Sequence, residues 1–270
     1  MTKLLGVIGD PIAHSMSPLI HNGWLRDMRF DATYEAMHVP EGEFSAALKT
    51  LSKRDILGVN VTLPHKGAAL NAAEEVSSAA AKIGAANTLT YLGDEKWRAD
   101  NTDAPGFLSA LGPADPGTDK VLVLGAGGSA RALVFALSNA GFDVTILNRT
   151  TQKAEQLAQE LGRENTAHGS LAQYTDHLDS ATIVINTTSM GYSNQLIELP
   201  DGRDRLFFDI SYGKISAPQI LAARQNGWRT KDGLTMLVVQ AAYSFEIWFG
   251  ETPDFDAGLQ RCEMALKAIS

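Results

Sequence analysis

The ten residues Val121-Leu122-Val123-Leu124-Gly125-Ala126-Gly127-Gly128-Ser129-Ala130 limit this chain more than any other segment. Four aliphatic residues in a row predict a strand buried on both faces. The glycines that follow predict a tight turn, and Arg131 to Ala140 predicts a helix. The turn fits G-x-G-x-x-A in its required setting of strand, turn and helix. Its first glycine permits the turn, its second lets a pyrophosphate approach the backbone, and a small third residue lets helix and strand pack closely. The helix N-terminus offers free N–H groups and a partial positive charge. Gly125, Ala126, Gly127, Gly128 and Ser129 are therefore expected to hold a dinucleotide. The blander reading is an ordinary glycine turn of an α/β protein.

The next strand, Val144 to Leu147, runs into Asn148-Arg149-Thr150. A site selective for NAD carries an acid at this point, on the ribose 2′-hydroxyl. No acid is present, and Asp143 precedes the strand. The planar Arg149 fork suits a 2′-phosphate, and Asn148 and Thr150 add neutral hydrogen bonds. NADP is thus favoured over NAD. The alternative is that Arg149 is a surface residue capping the following helix.

Strands and helices alternate along the chain. Strands are expected at Leu4 to Ile8, Thr33 to His38, Val59 to Thr62, Ala86 to Leu92 and Lys96 to Asp100, the last two split by Gly93-Asp94. Beyond Lys120 to Leu124 and Val144 to Leu147, further strands are expected at Thr182 to Asn186 and Leu206 to Ile210. Helices are expected at Thr151 to Leu161 and Pro218 to Asn226. Ser17-Pro18 reads as an N-cap followed by a helical proline. This alternation predicts an α/β fold with mostly parallel sheets. Residues 112–117 carry two Pro and two Gly and read as a linker. The last 36 residues, from Thr235, read as helix apart from residues 250–253. A helical tail without a sheet of its own must pack on something, and a return to the first domain would make that domain discontinuous.

Polar residues gather where the early strands run out. Gly9 to Pro18 contains His14, Ser15 and Ser17. Asn60, Thr62, His65 and Lys66 follow the Gly58 turn. Asn87-Thr88 and Asn101-Thr102-Asp103 close the next two units. Ligands of open α/β sheets bind beyond the carboxyl ends of strands. Hydroxyls and amides with one Lys and one Asp suit a small polyhydroxylated substrate. Plainer readings stand beside this one: Ser17 as a helix cap, His14 as a structural histidine, Asn101-Thr102-Asp103 as a cap for the next helix. Lys66 is the exception, because cations are disfavoured near a helix N-terminus. Such a placement suits a proton-transfer group.

Taken together, the motifs resemble the shikimate dehydrogenase family over the whole chain. The resemblance rests on Gly9-x-Pro11-x-x-His14-Ser15-x-Ser17-Pro18-x-x-His21-Asn22, Asn60-Val61-Thr62-x-Pro64-x-Lys66, Gly84-Ala85-x-Asn87-Thr88 and Asn101-Thr102-Asp103. It continues through Gly125-Ala126-Gly127-Gly128-x-x-Arg131, Asn148-Arg149-Thr150 and Asp232-Gly233-x-x-Met236-Leu237-x-x-Gln240-Ala241-Ala242. The resemblance implies NADP-dependent interconversion of 3-dehydroshikimate and shikimate in chorismate and aromatic amino-acid biosynthesis. It implies a substrate-binding domain of residues 1–104 and 236–270, and a Rossmann-type NADP-binding domain of residues 105–235. Lys66 and Asp103 become the catalytic pair. Ser15 and Ser17 become carboxylate contacts assisted by Tyr212, with Asn60, Thr62, Asn87 and Gln240 beside the substrate. Gly125 to Ser129 and Asn148 to Lys153 become cofactor contacts, and Ile210, Gly233 and Met236 lie near the nicotinamide. The chain departs from the family pattern at Ala104, Tyr192, Ser211 and Thr235, none of them a catalytic position.

Composition narrows the rest. The chain has 270 residues, enough for two modest domains. Its 23 basic and 31 acidic side chains leave a net charge of −8, against the basic face that a nucleic-acid binder shows. Cys262 stands alone, so no intrachain disulfide is expected. No Cys/His cluster has zinc spacing, and no metal is expected. The apolar run Leu4 to Ile8 is too short for a signal-peptide core, and no run reaches the roughly 18 residues of a membrane span. A cytoplasmic monomer or homodimer acting on a small molecule is the expectation. Two rivals remain: a quinate/shikimate dehydrogenase with broader substrate use, and a non-catalytic NADP-binding sensor. The first often prefers NAD, which Arg149 opposes, and the second need keep neither Lys66 nor Asp103.

Overall fold

The computed structural model describes residues 2–269. The chain forms two compact units, residues 1–106 with 237–270, and residues 107–236. The division falls inside a helix, and the Gly/Pro-rich residues 112–117 form the turn that follows it.

In the first unit, strands β1 (Lys3–Gly9), β2 (Ala32–His38), β3 (Ile56–Val61), β4 (Glu75–Val76), β5 (Thr88–Gly93) and β6 (Lys96–Asp100) form one sheet, ordered β2-β1-β3-β5-β6-β4. β1 pairs in parallel with β2 and β3, β4 pairs in parallel with β6, and β5 runs antiparallel to both β3 and β6. The β5–β6 hairpin is where Gly93-Asp94 divides the two strands. Six of the seven residues of β1 are buried, as a central strand covered on both faces requires. Helices α1 (Ser17–Asp27), α2 (Phe44–Leu51), α3 (Lys66–Asn71) and α4 (Ser78–Ile83) connect these strands, and α5 (Asp103–Leu111) follows β6.

The second unit holds β7 (Lys120–Leu124), α6 (Gly128–Asn139), β8 (Asp143–Asn148), α7 (Thr151–Leu161), β9 (Ala167–Ser170), α8 (Tyr174–Leu178), β10 (Ile183–Asn186), β11 (Leu206–Asp209), α9 (Ala217–Gln225) and β12 (Arg229–Lys231). Its strands are all parallel, in the order β12-β11-β10-β7-β8-β9. This is the doubly wound dinucleotide-binding order, with its switch point between β7 and β10. Short β4, β9 and β12 carry too little apolar periodicity to be read from sequence.

Helices α10 (Leu234–Phe249) and α11 (Phe255–Ile269) end the chain. α11 packs on α1, where the Trp24 indole N–H donates to the Asp254 carbonyl at 2.6 Å and Arg261 pairs with Asp27. The C-terminal helices thus return to the first unit. Their core is aromatic: Trp24, Phe30, Phe245 and Phe249 pack ring to ring. Among the described residues no helix is long and apolar enough to cross a membrane.

Candidate active site

In the first unit the polar residues converge at the carboxyl ends of β3 and β6 and the start of β5. Lys66 is the first residue of α3 and Asp103 the first of α5. The Lys66 ammonium donates to Asp103 Oδ2 at 2.6 Å, and both side chains are buried. The amide dipoles of α5 favour a carboxylate at that position, and those of α3 disfavour a cation. Asp103 supplies the compensating charge.

Asn87 locks the carboxylate in place. Its amide Nδ2 donates to Asp103 Oδ1 at 3.0 Å, to Thr102 Oγ1 at 2.9 Å and to Gln240 Oε1 at 3.1 Å. Its Oδ1 accepts from the Thr102 backbone N–H at 2.8 Å. Asn101 Oδ1 meanwhile accepts the backbone N–H groups of Asp103 and Ala104, so it caps α5. Behind Asn87 a second layer is built on Asn60, whose Nδ2 donates to Ser244 Oγ at 2.8 Å and to the Asn87 carbonyl at 3.1 Å. Ser244 also meets the hydroxyls of Thr88 at 2.8 Å and Thr102 at 3.1 Å.

Lys66, Asp103, Asn87, Asn60 and Gln240, named from the sequence, are thus joined in one hydrogen-bonded cluster. Ser15 and Ser17 lie in and after the β1–α1 loop, and Ser15 Oγ accepts the Ser17 backbone N–H at 3.3 Å. The helix starts at Ser17 itself, with Met16 at the cap position, so Ser17 is not the expected N-cap. Thr62 is half-buried just past β3, and His14 is exposed. Tyr212 belongs to the second unit, half-buried in the turn after β11. Sequence reasoning missed Ser244. Its one signal is that Gln240 and Ser244 stand four residues apart, on one face of a mostly apolar helix.

In the second unit the glycine turn joins β7 to α6. Gly125 has φ +110°, and a Cβ there would lie 2.3 Å from Thr187 Oγ1, so only glycine fits. A Cβ on Gly127 would meet nothing within 4 Å; the space above the turn is open, as an approaching pyrophosphate needs. Ala126, Gly128 and Ser129 complete the turn and the first residues of α6. Asn148, at the end of β8, bonds through its Nδ2 to the Thr150 carbonyl at 3.0 Å, while Arg149, Thr150 and Lys153 are exposed. Thr150 occupies the cap position of α7 without a capping side-chain bond. A mostly apolar cavity of about 320 Å³ opens beside Arg149, lined by Leu124, Leu171, Ala172, Met190 and Ile197.

The loops after β10 and β11 are tied together by a buried pair, Asn186 Nδ2 donating to Asp209 Oδ2 at 2.9 Å. Burial pushes the Asp209 carboxyl up from its ordinary range, and its bonds to Asn186 and Ser211 oppose that shift. Ile210 follows directly. Gly233 donates its N–H to the Ser211 carbonyl at 2.8 Å, and a Cβ on it would lie 1.9 Å from the Ile210 carbonyl oxygen. Met236, in the first turn of α10, is buried.

Comparison with known proteins identifies the family. Residues 7–89 match the shikimate dehydrogenase substrate binding domain, residues 113–220 the shikimate / quinate 5-dehydrogenase family, and residues 233–263 the shikimate 5'-dehydrogenase C-terminal domain. The shikimate dehydrogenase (NADP(+)) of Hyphomonas neptunium is 47% identical over 272 residues, covering 100% of each chain. The crystal structure of the Aquifex aeolicus shikimate dehydrogenase superposes with a TM-score of 0.87 at 32% identity, covering 97% of both chains. The shikimate 5-dehydrogenase of Thermus thermophilus, in complex with NADP(H) and shikimate, gives a TM-score of 0.83 at 34% identity, over 98% of this chain and 100% of that one. Matched along its whole length, the chain belongs to the shikimate dehydrogenase family.

Proposed function

We propose that this protein catalyses the reversible, NADP-dependent reduction of 3-dehydroshikimate to shikimate in aromatic amino-acid biosynthesis. The observation that carries the reading is the buried Lys66–Asp103 pair, 2.6 Å apart and held by Asn87, in a chain whose other unit has a dinucleotide turn. Residues 1–104 with 236–270 bind the substrate, and residues 105–235 bind NADP. Bound NADPH supplies a hydride to the C3 carbonyl carbon. Lys66, as ammonium, gives its proton to the carbonyl oxygen and stabilises the charge that develops there. Asp103 orients Lys66 and accepts a hydrogen bond from the neighbouring substrate hydroxyl. In the oxidative direction Lys66 must first be neutral to take the proton back.

Ser15 and Ser17 bind the carboxylate, Tyr212 assists, and Asn60, Thr62, Asn87 and Gln240 surround the ring. The free space over Gly127 takes the pyrophosphate, with the N–H groups of Gly125 to Ser129 around it. Asn148, Arg149, Thr150 and Lys153 hold the 2′-phosphate and adenosine, and Ile210, Gly233 and Met236 flank the nicotinamide. We place the protein in the cytoplasm as a monomer or homodimer. The test is turnover of shikimate and of quinate, each with NADP and with NAD, followed by the absorbance of the reduced cofactor. Shikimate with NADP should give the highest kcat/KM of the four pairings. Absence of turnover with that pair, or equal use of quinate, overturns the assignment.

A further inference from the structure

Tyr34 is the sole buried residue of the edge strand β2, and it carries a hydroxyl into the interior. Three groups grip it. The His21 ring stacks on its face, with centroids 4.1 Å apart and planes 4° from parallel. The Asn22 side chain reads its backbone like a paired strand, donating to the Tyr34 carbonyl at 2.8 Å and accepting the Tyr34 N–H at 2.9 Å. Its hydroxyl donates to Asn60 Oδ1 at 2.7 Å. His21 and Asn22 both belong to α1, the helix that begins with Ser17. Ser17 lies one turn before His21 on the same face, and its side chain interacts with the Tyr34 hydroxyl.

The bond to Asn60 has a directional consequence. A carboxamide has one accepting and one donating end. The Asn87 carbonyl can only accept, so Nδ2 must face it, together with Ser244 and Thr88, and Oδ1 is left to accept the Tyr34 O–H. Rotating the amide by half a turn would set Oδ1 against the Asn87 carbonyl oxygen. The Asn87 carbonyl therefore fixes the sense of Asn60, and the Tyr34 hydroxyl, bonded to its accepting end, joins α1 to the layer behind Asn87 and Asp103. Burial holds His21 at a pKa of about 3, so the stacked ring is neutral and the joint carries no charge in the working pH range.

We propose that Tyr34 is a positioning residue for turnover, its hydroxyl holding the Ser17 end of α1 in register with Asn60 and the Asn87–Asp103–Lys66 cluster. The proposal rests on the reading of Ser15 and Ser17 as carboxylate contacts. Tyr34→Phe removes one oxygen and keeps the stack on His21. It should lower kcat/KM for shikimate about tenfold, as expected when one buried hydrogen bond no longer fixes the site, with the KM for NADP within about twofold.

Shikimate methyl ester separates positioning from plain structural support, because it lacks the carboxylate charge. The wild-type protein should discriminate strongly against the ester. Tyr34→Phe should discriminate less, so that its loss on the ester is smaller than its loss on the acid. An equal loss on both substrates, or an unchanged kcat/KM for shikimate, overturns the role of Tyr34 and leaves the carboxylate reading intact. A wild-type protein indifferent to esterification overturns the carboxylate reading, and this proposal with it. Should Tyr34→Phe fail to fold, 3-fluorotyrosine at position 34 keeps the ring and the hydroxyl, adds one small atom and alters the hydroxyl's donor strength. It should move kcat/KM for shikimate more than for the ester, and an unchanged ratio overturns the proposal.

Discussion

Lys66, Asn87 and Asp103 are buried and hold one another through side chains, whereas Arg149, Thr150 and Lys153 stand exposed beyond β8, next to a turn built from backbone. The first arrangement suits chemistry. A buried, hydrogen-bonded ion pair keeps its geometry without solvent, and removing one partner of such a pair costs about 3–5 kcal/mol. The second suits recognition of a large anionic ligand that brings its own charge and reactive atom. Positions in the first unit should therefore govern kcat and the shikimate KM, and positions in the second should govern cofactor KM.

The largest effect expected is that of Lys66→Met. Steady-state kinetics should show kcat lower by about 10²–10⁴, the range for loss of a general acid–base group, with a much smaller change in shikimate KM. A near-normal kcat with a raised KM would erase the contrast between the units, because Lys66 would then be only a binding residue. Next is Arg149→Ala. Loss of a charge-assisted pair with the 2′-phosphate should raise the KM for NADP about ten- to a hundredfold, with little change for NAD and none in the shikimate KM. Equal effects on both cofactors would mean that Arg149 does not read the 2′-phosphate.

Ser15→Ala should raise the shikimate KM about five- to tenfold, the value of a single hydrogen bond, and leave NADP affinity unchanged. Unchanged shikimate kinetics would reduce the loop to a structural turn.

The last effect, of another kind, is on stability. His21 is held neutral in the folded chain, its pKa lowered by burial from 6.5 to about 3. Between these values the unfolded chain binds the proton and the folded chain does not. The stability from neutral His21 is thus present in full above pH 6.5 and is lost as the pH falls toward 3, by at most about 1.4 kcal/mol per pH unit. Denaturant unfolding of His21→Gln should show a shallower acid loss than wild type, and identical pH slopes would contradict this.

The two units also differ in how openly the sequence displays them. The dinucleotide turn is contiguous, so strand, glycines and helix can be read in one pass, and the absence of an acid after β8 is equally local. The catalytic cluster is assembled across the chain: Asn60 meets Ser244 across 184 positions and Asn87 meets Gln240 across 153. Lys66 is visible because a cation is disfavoured at a helix start, and Asp103 because it closes the polar run Asn101-Thr102-Asp103 that carries part of the family resemblance. Ser244 and Tyr34 are hidden, since one hydroxyl in a mostly apolar helix or an edge strand gains meaning only from its partners. The order of the first sheet is hidden as well, because two-residue β4 has no periodicity and nothing local decides that β5 reverses direction against β3.

The most direct test is a double-mutant cycle on kcat with Lys66→Met, Asp103→Asn and the combined variant. A carboxylate accepts on both oxygens, one from Lys66 at 2.6 Å and one from Asn87 at 3.0 Å. An amide accepts on only one, so Asp103→Asn must release one of those partners. If the pair acts as a unit, each single variant loses most of the activity and the double variant falls no more than about tenfold below the worse single. If the two losses multiply in full, Lys66 and Asp103 act independently, and the claim that one buried pair carries the proton chemistry is contradicted.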